Sequence, residues 1–161
     1  MSPQFSFRPA SESQKPLIQS WLKQEHIKKW LHGAGLKNTL EDLDKSFKEK
    51  SIFTHWIAYS KETPFAYLLT SEMEEGITLD LFICDLTYLG KGLATPMIQE
   101  FLITHFPHAS EVLIDPEAAN TRAIHVYQKA GFKIVREFIA SWNPVPHYEM
   151  RLSMKELLYP R

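Results

Sequence analysis

At 161 residues, with 44% apolar and 23% charged side chains, the chain has the make-up of one globular domain spanning 1–161, large enough to bury a core. Its 18 Lys and Arg against 19 Asp and Glu leave a net charge of −1. That excludes the strong basic excess of a nucleic-acid binder while allowing a small cation held by local acids. Cys84 is the single cysteine, so no internal disulfide forms; with no apolar run of the ~18–20 residues that span a bilayer and no leader pattern over Met1–Arg8, a cytoplasmic location is expected.

In chain order, Phe5, Phe7, Arg8 and Pro9 read as a short strand and turn. Leu17, Ile18, Trp21 and Leu22 give Ser11 to Leu22 a helical period, with Pro16 in its first turn. His26 to Leu31 reads as a further helical turn stopped by Gly33 and Gly35. Thr39 is the expected N-cap of another helix, with Leu40, Leu43 and Phe47 as its apolar stripe. The period then shortens. Phe53 to Tyr59, Phe65 to Thr70 and Ile77 to Ile83 are β-branched and aromatic runs separated by turn residues, an antiparallel meander. Asp85 to Ala94 reads as a loop, Thr95 to His105 as a helix and Val112 to Ile114 as a buried strand. A helix follows from Asn120, a good N-cap, to Ala130, with Gly131 as its stop. Phe132 to Phe138 and Tyr148 to Met154 close the chain as strands. The order predicts an α/β (α+β) domain on a mixed sheet.

The segment Tyr88-Leu89-Gly90-Lys91-Gly92-Leu93-Ala94 carries the first chemical signal. Pro96 lacks an N–H and belongs in a first helical turn, so the helix starts near Gly92 or Leu93. Backbone N–H groups from Leu89 to Thr95 then lack intrahelical acceptors at the positive end of the helix dipole, a setting for phosphate. Gly90 and Gly92 let an anion approach the main chain, and Lys91 adds charge. Two glycines alone also fit a plain helix start. No Gly-Lys-Ser/Thr follows, and the third glycine of a dinucleotide fingerprint is missing.

Together with Asn120-Thr121-Arg122-Ala123-Ile124-His125-Val126-Tyr127-Gln128-Lys129-Ala130-Gly131-Phe132, this turn resembles the GNAT acetyltransferase superfamily. That family carries Gln/Arg-x-x-Gly-x-Gly/Ala and Asn-x-x-Ala-x-x-x-Tyr-x-x-x-Gly-Phe. Gly92 and Ala94 fit; Leu89 departs from the Gln or Arg of the general pattern. Leu79 to Asp85, Tyr88 to Thr95, Ile114-Asp115-Pro116 through Asn120, and Trp21-Leu22 with Glu25 to Trp30 look like aminoglycoside 6'-N-acetyltransferases, in which Leu89 is at home. The resemblance runs from about Phe7 to Met154. It implies the GNAT fold, a mixed central sheet of six to seven strands flanked by helices and split between the fourth and fifth.

The same resemblance implies acetyl-CoA as co-substrate and assigns the sites. Phe82, Ile83, Leu89, Gly90, Lys91, Gly92, Leu93, Ala94, Thr95, Asn120 and Tyr127 would bind it, with Asn120 on the pantetheine arm and Tyr127 near the sulfur. Asp80 and Tyr127 would be catalytic, and Trp30, Asp80 and Asp115 would face the acceptor. Chemistry agrees with these types: an attacking amine must lose a proton, a tetrahedral oxyanion needs donors such as the N–H of Phe82 or Ile83, and a leaving thiolate accepts a proton from a tyrosine. An ordinary Asp, with pKa about 3.9, is poorly matched to an alkylammonium near about 10, which favours a water relay or an electrostatic role. Asn120 also serves as a cap, and Tyr127 also suits core packing. The seven histidines show no metal-ligand spacing, and no metal is expected.

The expected function is transfer of acetyl from acetyl-CoA to a primary amine of a small, aminoglycoside-like cation, with antibiotic resistance as the associated trait. The partner is a small-molecule amine, with no nucleic acid and no membrane, and the protein a monomer or homodimer. A protein, peptide or siderophore-type acceptor is the alternative within enzymes, and a non-catalytic acyl-CoA sensor the alternative outside them.

Overall fold

The computed structural model describes residues 4–160. A single seven-stranded sheet runs through it: β1 (Ser6–Pro9), β2 (Phe53–Ser60), β3 (Thr63–Glu72), β4 (Gly76–Ile83), β5 (Glu111–Ile114), β6 (Lys133–Ile139) and β7 (Pro146–Ser153). The spatial order is β1-β2-β3-β4-β5-β7-β6. Only β4 and β5 pair in parallel; every other neighbouring pair is antiparallel. The mixed sheet and the chain order of its elements are those expected; the placement of β7 between β5 and β6 is added by the structure.

Helices cover both faces, which is why β2 and β3 are apolar on both sides instead of alternating. On one face α4 (Ala94–His105) and α5 (Thr121–Ala130) pack against a core holding Trp56, Phe65, Leu79, Phe101 and Phe132. Against the other lie α1 (Lys15–Trp21), α2 (Glu25–Lys28) and α3 (Gly33–Lys45), over Ile57, Tyr59, Tyr67 and Leu69. Successive residues of β2 thus serve opposite cores, as the pleat requires. No helix among the described residues is long and apolar enough to cross a membrane.

Two elements differ from expectation. Gly33 and Gly35 do not stop a helix; they lie in the first turn of α3, and Thr39 sits inside it with its hydroxyl on the Gly35 carbonyl at 2.9 Å. The reason is Leu36, which extends the Leu40, Leu43 and Phe47 stripe backwards and packs with it on the second core; tertiary burial outweighs the glycine penalty. At the other end Met154 leaves the last strand and begins α6 (Met154–Leu158), capped by Ser153, whose hydroxyl accepts from the Glu156 N–H at 3.3 Å. Ser153 followed three residues later by Glu156 is a capping-box spacing.

Candidate active site

The cleft begins where β4 and β5 part. Their parallel pairing covers only Gly76↔Glu111, Ile77↔Val112 and Thr78↔Leu113. A glycine is needed at its origin, because a Cβ on Gly76 would lie 1.9 Å from the Glu111 carbonyl oxygen. Beyond Thr78 the strands diverge, while β4 stays paired to β3 as far as Ala66↔Ile83. The Cys84 N–H reaches the Phe65 carbonyl at 2.8 Å. Strand alternation then turns the Phe82 N–H to β3 and those of Leu81 and Ile83 to the splayed side. His26 Nε2 meets the Ile83 carbonyl at 3.0 Å and Gln24 Nε2 donates to the Cys84 carbonyl at 2.9 Å, fixing this strand end.

A cavity of about 410 Å³ fills the splay, and its walls include Trp30, Asp80, Phe82, Asp115, Asn120 and Tyr127. Six of the residues singled out from sequence therefore meet in one place. Asp80 is exposed through the cleft and accepts no hydrogen bond from any described residue. Desolvation by the surrounding cleft walls, and then the neighbouring Asp115, push its carboxyl up to about 8. Burial raises Asp115 as well, to about 6, with His147 offsetting and Glu149 adding to the effect. Water on the cleft side screens part of this repulsion. The mismatch between an ordinary Asp and an amine thus narrows considerably at this position.

Tyr127 packs its ring on Phe132, with centroids 6.0 Å apart; it lines the cavity and is half-buried, and its hydroxyl receives no hydrogen bond from the described residues. Burial, then Asp80 and Asp115, raise it above the ordinary tyrosine range, so it stays protonated and able to donate. Asn120 caps α5, its side chain accepting from the Ala123 N–H at 3.3 Å. Cys84 is buried, and that burial pushes its thiol far up, away from reactivity.

The glycine turn lies at the start of α4, which Leu93 precedes as N-cap. Gly90 has φ 74° and Gly92 φ 72°, left-handed values suited to glycine. The N–H groups of Gly90, Lys91, Gly92, Leu93, Ala94 and Thr95 find no acceptor among the described residues. A Cβ on Gly92 would meet nothing within 4 Å, so these donors open outward and fit a pyrophosphate. Tyr88 anchors the turn by packing on Phe65, with ring centroids 4.8 Å apart and planes tilted by 32°. Lys91 is exposed and Leu89 partly buried. Thr95 Oγ1 reaches the Val126 carbonyl at 3.5 Å, and Gln99 Nε2 the Ala130 carbonyl at 3.2 Å, holding α4 beside α5.

Several contributors escaped the sequence reading. Arg122 extends from α5 to the turn, its guanidinium 3.4 Å from where a side chain on Gly90 would begin. It brings a cation to the turn, where Leu89 offers none. Its signal was present: a cation in a helix's first turn opposes the dipole and calls for another reason. Asp42 and Trp142 also line the cleft, and His32 Nε2 meets Glu117 Oε2 at 3.2 Å across its edge. These come from distant segments that share no local motif. Glu72, Glu74 and Glu75 lie away from the cleft walls.

Comparison with known proteins agrees with this architecture. A family described as "Acetyltransferase (GNAT) domain" matches residues 11–140. The crystal structure of an aminoglycoside N(6')acetyltransferase from Legionella pneumophila superposes with a TM-score of 0.95 at 51% identity, covering 100% of this chain and 98% of that one. An aminoglycoside N(6')-acetyltransferase type 1 from Klebsiella pneumoniae is 26% identical over 148 residues, 80% of this chain and 73% of that protein. AAC(6')-Ib in complex with ribostamycin and coenzyme A shares the fold, with a TM-score of 0.82 at 23% identity and 98% of each chain covered. On the extent of the domain match and the full-length agreement with the Legionella enzyme, the chain belongs to the GNAT acetyltransferase family, enzymes that draw on acetyl-CoA, and stands among its aminoglycoside 6'-N-acetyltransferase-like members.

Proposed function

We propose that the protein transfers acetyl from acetyl-CoA to a primary amine of a small polycationic acceptor of the aminoglycoside class, by direct attack within a ternary complex. The observation that carries this reading is that Asp80 and Tyr127 line one cavity where the sheet splits. The names of the Legionella and Klebsiella relatives support the acceptor class.

In this reading the pyrophosphate rests on the N–H groups from Gly90 to Thr95 with Arg122 and Lys91 nearby, and Asn120 meets the pantetheine arm. Leu89 completes the turn. Asp80 takes the proton of the amine, directly or through one water, as nitrogen bonds to the thioester carbonyl carbon. The Ile83 N–H faces the side on which the carbonyl oxygen gains charge, and Phe82 lends its side chain to the wall. As the carbon–sulfur bond breaks, Tyr127 gives its hydroxyl proton to the departing sulfur and regains one from solvent, while the proton held at Asp80 leaves to solvent. Asp115 and Trp30 line the acceptor side, the first as a second anion and the second as an apolar plane.

Free thiol released from acetyl-CoA in the presence of kanamycin or tobramycin tests the reading. Turnover that falls about a hundredfold or more in both Asp80→Ala and Tyr127→Phe supports it. Acetyl-CoA binding with no turnover on any amine would replace it with a sensor.

A further inference from the structure

Behind the α3 wall of the cleft runs a chain of hydrogen bonds that the reaction scheme does not use. Asp42 Oδ1 accepts from the Ser51 hydroxyl at 2.7 Å, and Asp42 Oδ2 lies 2.7 Å from His55 Nε2. His55 Nδ1 in turn lies 2.6 Å from the Tyr67 hydroxyl. Proton positions follow from chemistry. A carboxylate only accepts, so Nε2 carries the His55 proton. Burial disfavours the imidazolium more than Asp42 favours it, so Nδ1 is unprotonated and accepts from Tyr67.

The expense of this arrangement shows in where it sits. His55 is 4% exposed and Tyr67 fully buried, their rings stacked with centroids 5.9 Å apart inside the second core. Polar groups at such depth are tolerated only when fully paired, and packing alone would be served by phenylalanines. Asp42 is different: 21% of its side chain is exposed, and it lines the same cavity as Asp80 and Asp115. Each of its oxygens has one donor, which leaves acceptor capacity toward the opening. Among the described residues, no Lys or Arg lines that cavity. A carboxylate held by neutral donors therefore presents an uncompensated charge to the cleft from the flank opposite the sheet floor.

We propose that Asp42 selects acceptors bearing more than one amine, by receiving a second ammonium while the first lies at Asp80, and that His55 and Tyr67 are the positioning residues that hold its carboxylate. This rests on the reading of the cleft as an amine-acceptor site. Lost mobility at Asp42 is what the buried pair supplies: a fixed anion gives up less entropy on meeting a cation than a freely turning one.

The test is acetyl transfer by the full chain to a matched pair of acceptors, kanamycin and a simple alkyl monoamine, with KM and kcat separated. In Asp42→Asn the preference for kanamycin over the monoamine falls about tenfold, through KM. Tyr67→Phe, which removes one hydroxyl, and His55→Phe lower the same preference in part, and His55→Gln, whose amide can donate to Asp42, restores some of it. Thermal midpoints accompany each variant; should His55→Phe fail to fold, Tyr67→Phe carries the test. Equal losses on both acceptors, or losses confined to kcat, overturn the proposal. A native protein that acetylates no amine takes the proposed function down first, and this inference with it.

Discussion

The substitution Gly76→Ala addresses the point on which the cleft depends. A Cβ there stands 1.9 Å from the Glu111 carbonyl oxygen and 2.9 Å from its carbon, the closer contact about 1.5 Å inside ordinary van der Waals separation. Both obstacles are backbone, so no rotamer change relieves them. β5 must move away from β4, and the pairing of Gly76, Ile77 and Thr78 with Glu111, Val112 and Leu113 is the structure that yields. Overpacking with the loss of one or two ladder bonds costs about 3–4 kcal/mol. At this chain length each kcal/mol lowers Tm by roughly 2–4 °C, which puts the expected fall at about 6–16 °C. Calorimetry reads that number, and initial rates taken well below both midpoints read the second consequence. Asp80 rides on β4 and Asp115 follows β5, so a shift of about 1 Å between the strands reduces kcat roughly a hundredfold. A Tm within about 2 °C of the native value, with turnover intact, would refute the claim that this contact sets the splay.

Three further outcomes follow from the site. In the proposed reaction Asp80 is a base only when ionised, and its carboxyl is raised to about 8, so the expected kcat/KM for the amine climbs with pH through the neutral range. Asp115→Asn removes a neighbouring negative charge and moves that limb to lower pH; a pH–rate profile that stays in place contradicts the pairing. The same shift costs stability: Asp80 ionises near 3.8 when unconstrained and near about 8 when folded, so stability declines with rising pH between those values and the full cost is present above the upper one. Asp80→Asn therefore melts at a higher temperature than the native protein, by more at about pH 9 than at about pH 5, although it is inactive. Finally, Arg122→Ala raises KM for acetyl-CoA about three- to tenfold, the range for one exposed charge-assisted contact; an unchanged KM would remove Arg122 from the phosphate site.

How much of this was legible in the sequence depended on whether the signal was local. The glycine turn, the Asn120 to Phe132 segment and the meander are contiguous patterns, and each lies where its spacing predicted. The start of α3 departs from the local glycine signal because the apolar stripe extends back to Leu36, whose burial outweighs glycine's poor helix preference. Asp42, His55 and Tyr67 were invisible for a different reason. They come from three elements and acquire meaning only from hydrogen bonds across the fold. Likewise the raised carboxyl of Asp80 reflects surroundings and a neighbour 35 positions away, which no residue type announces. Sequence named the groups, and packing decided their proton affinities.

The short β4–β5 pairing also bears on how the protein survives heat. The sheet is in effect two leaves, β1 to β4 and β5 to β7, joined along their seam by three residue pairs. The phosphate turn follows the first leaf, while Asn120 and Tyr127 follow the second. A molecule lying across the seam fastens one leaf to the other, and at a hundred times its Kd it adds about 2.7 kcal/mol to the folded state. With acetyl-CoA placed across that seam as proposed, its supply governs the lifetime of the fold as well as the rate of reaction, and the protein is most easily lost when it has nothing to transfer.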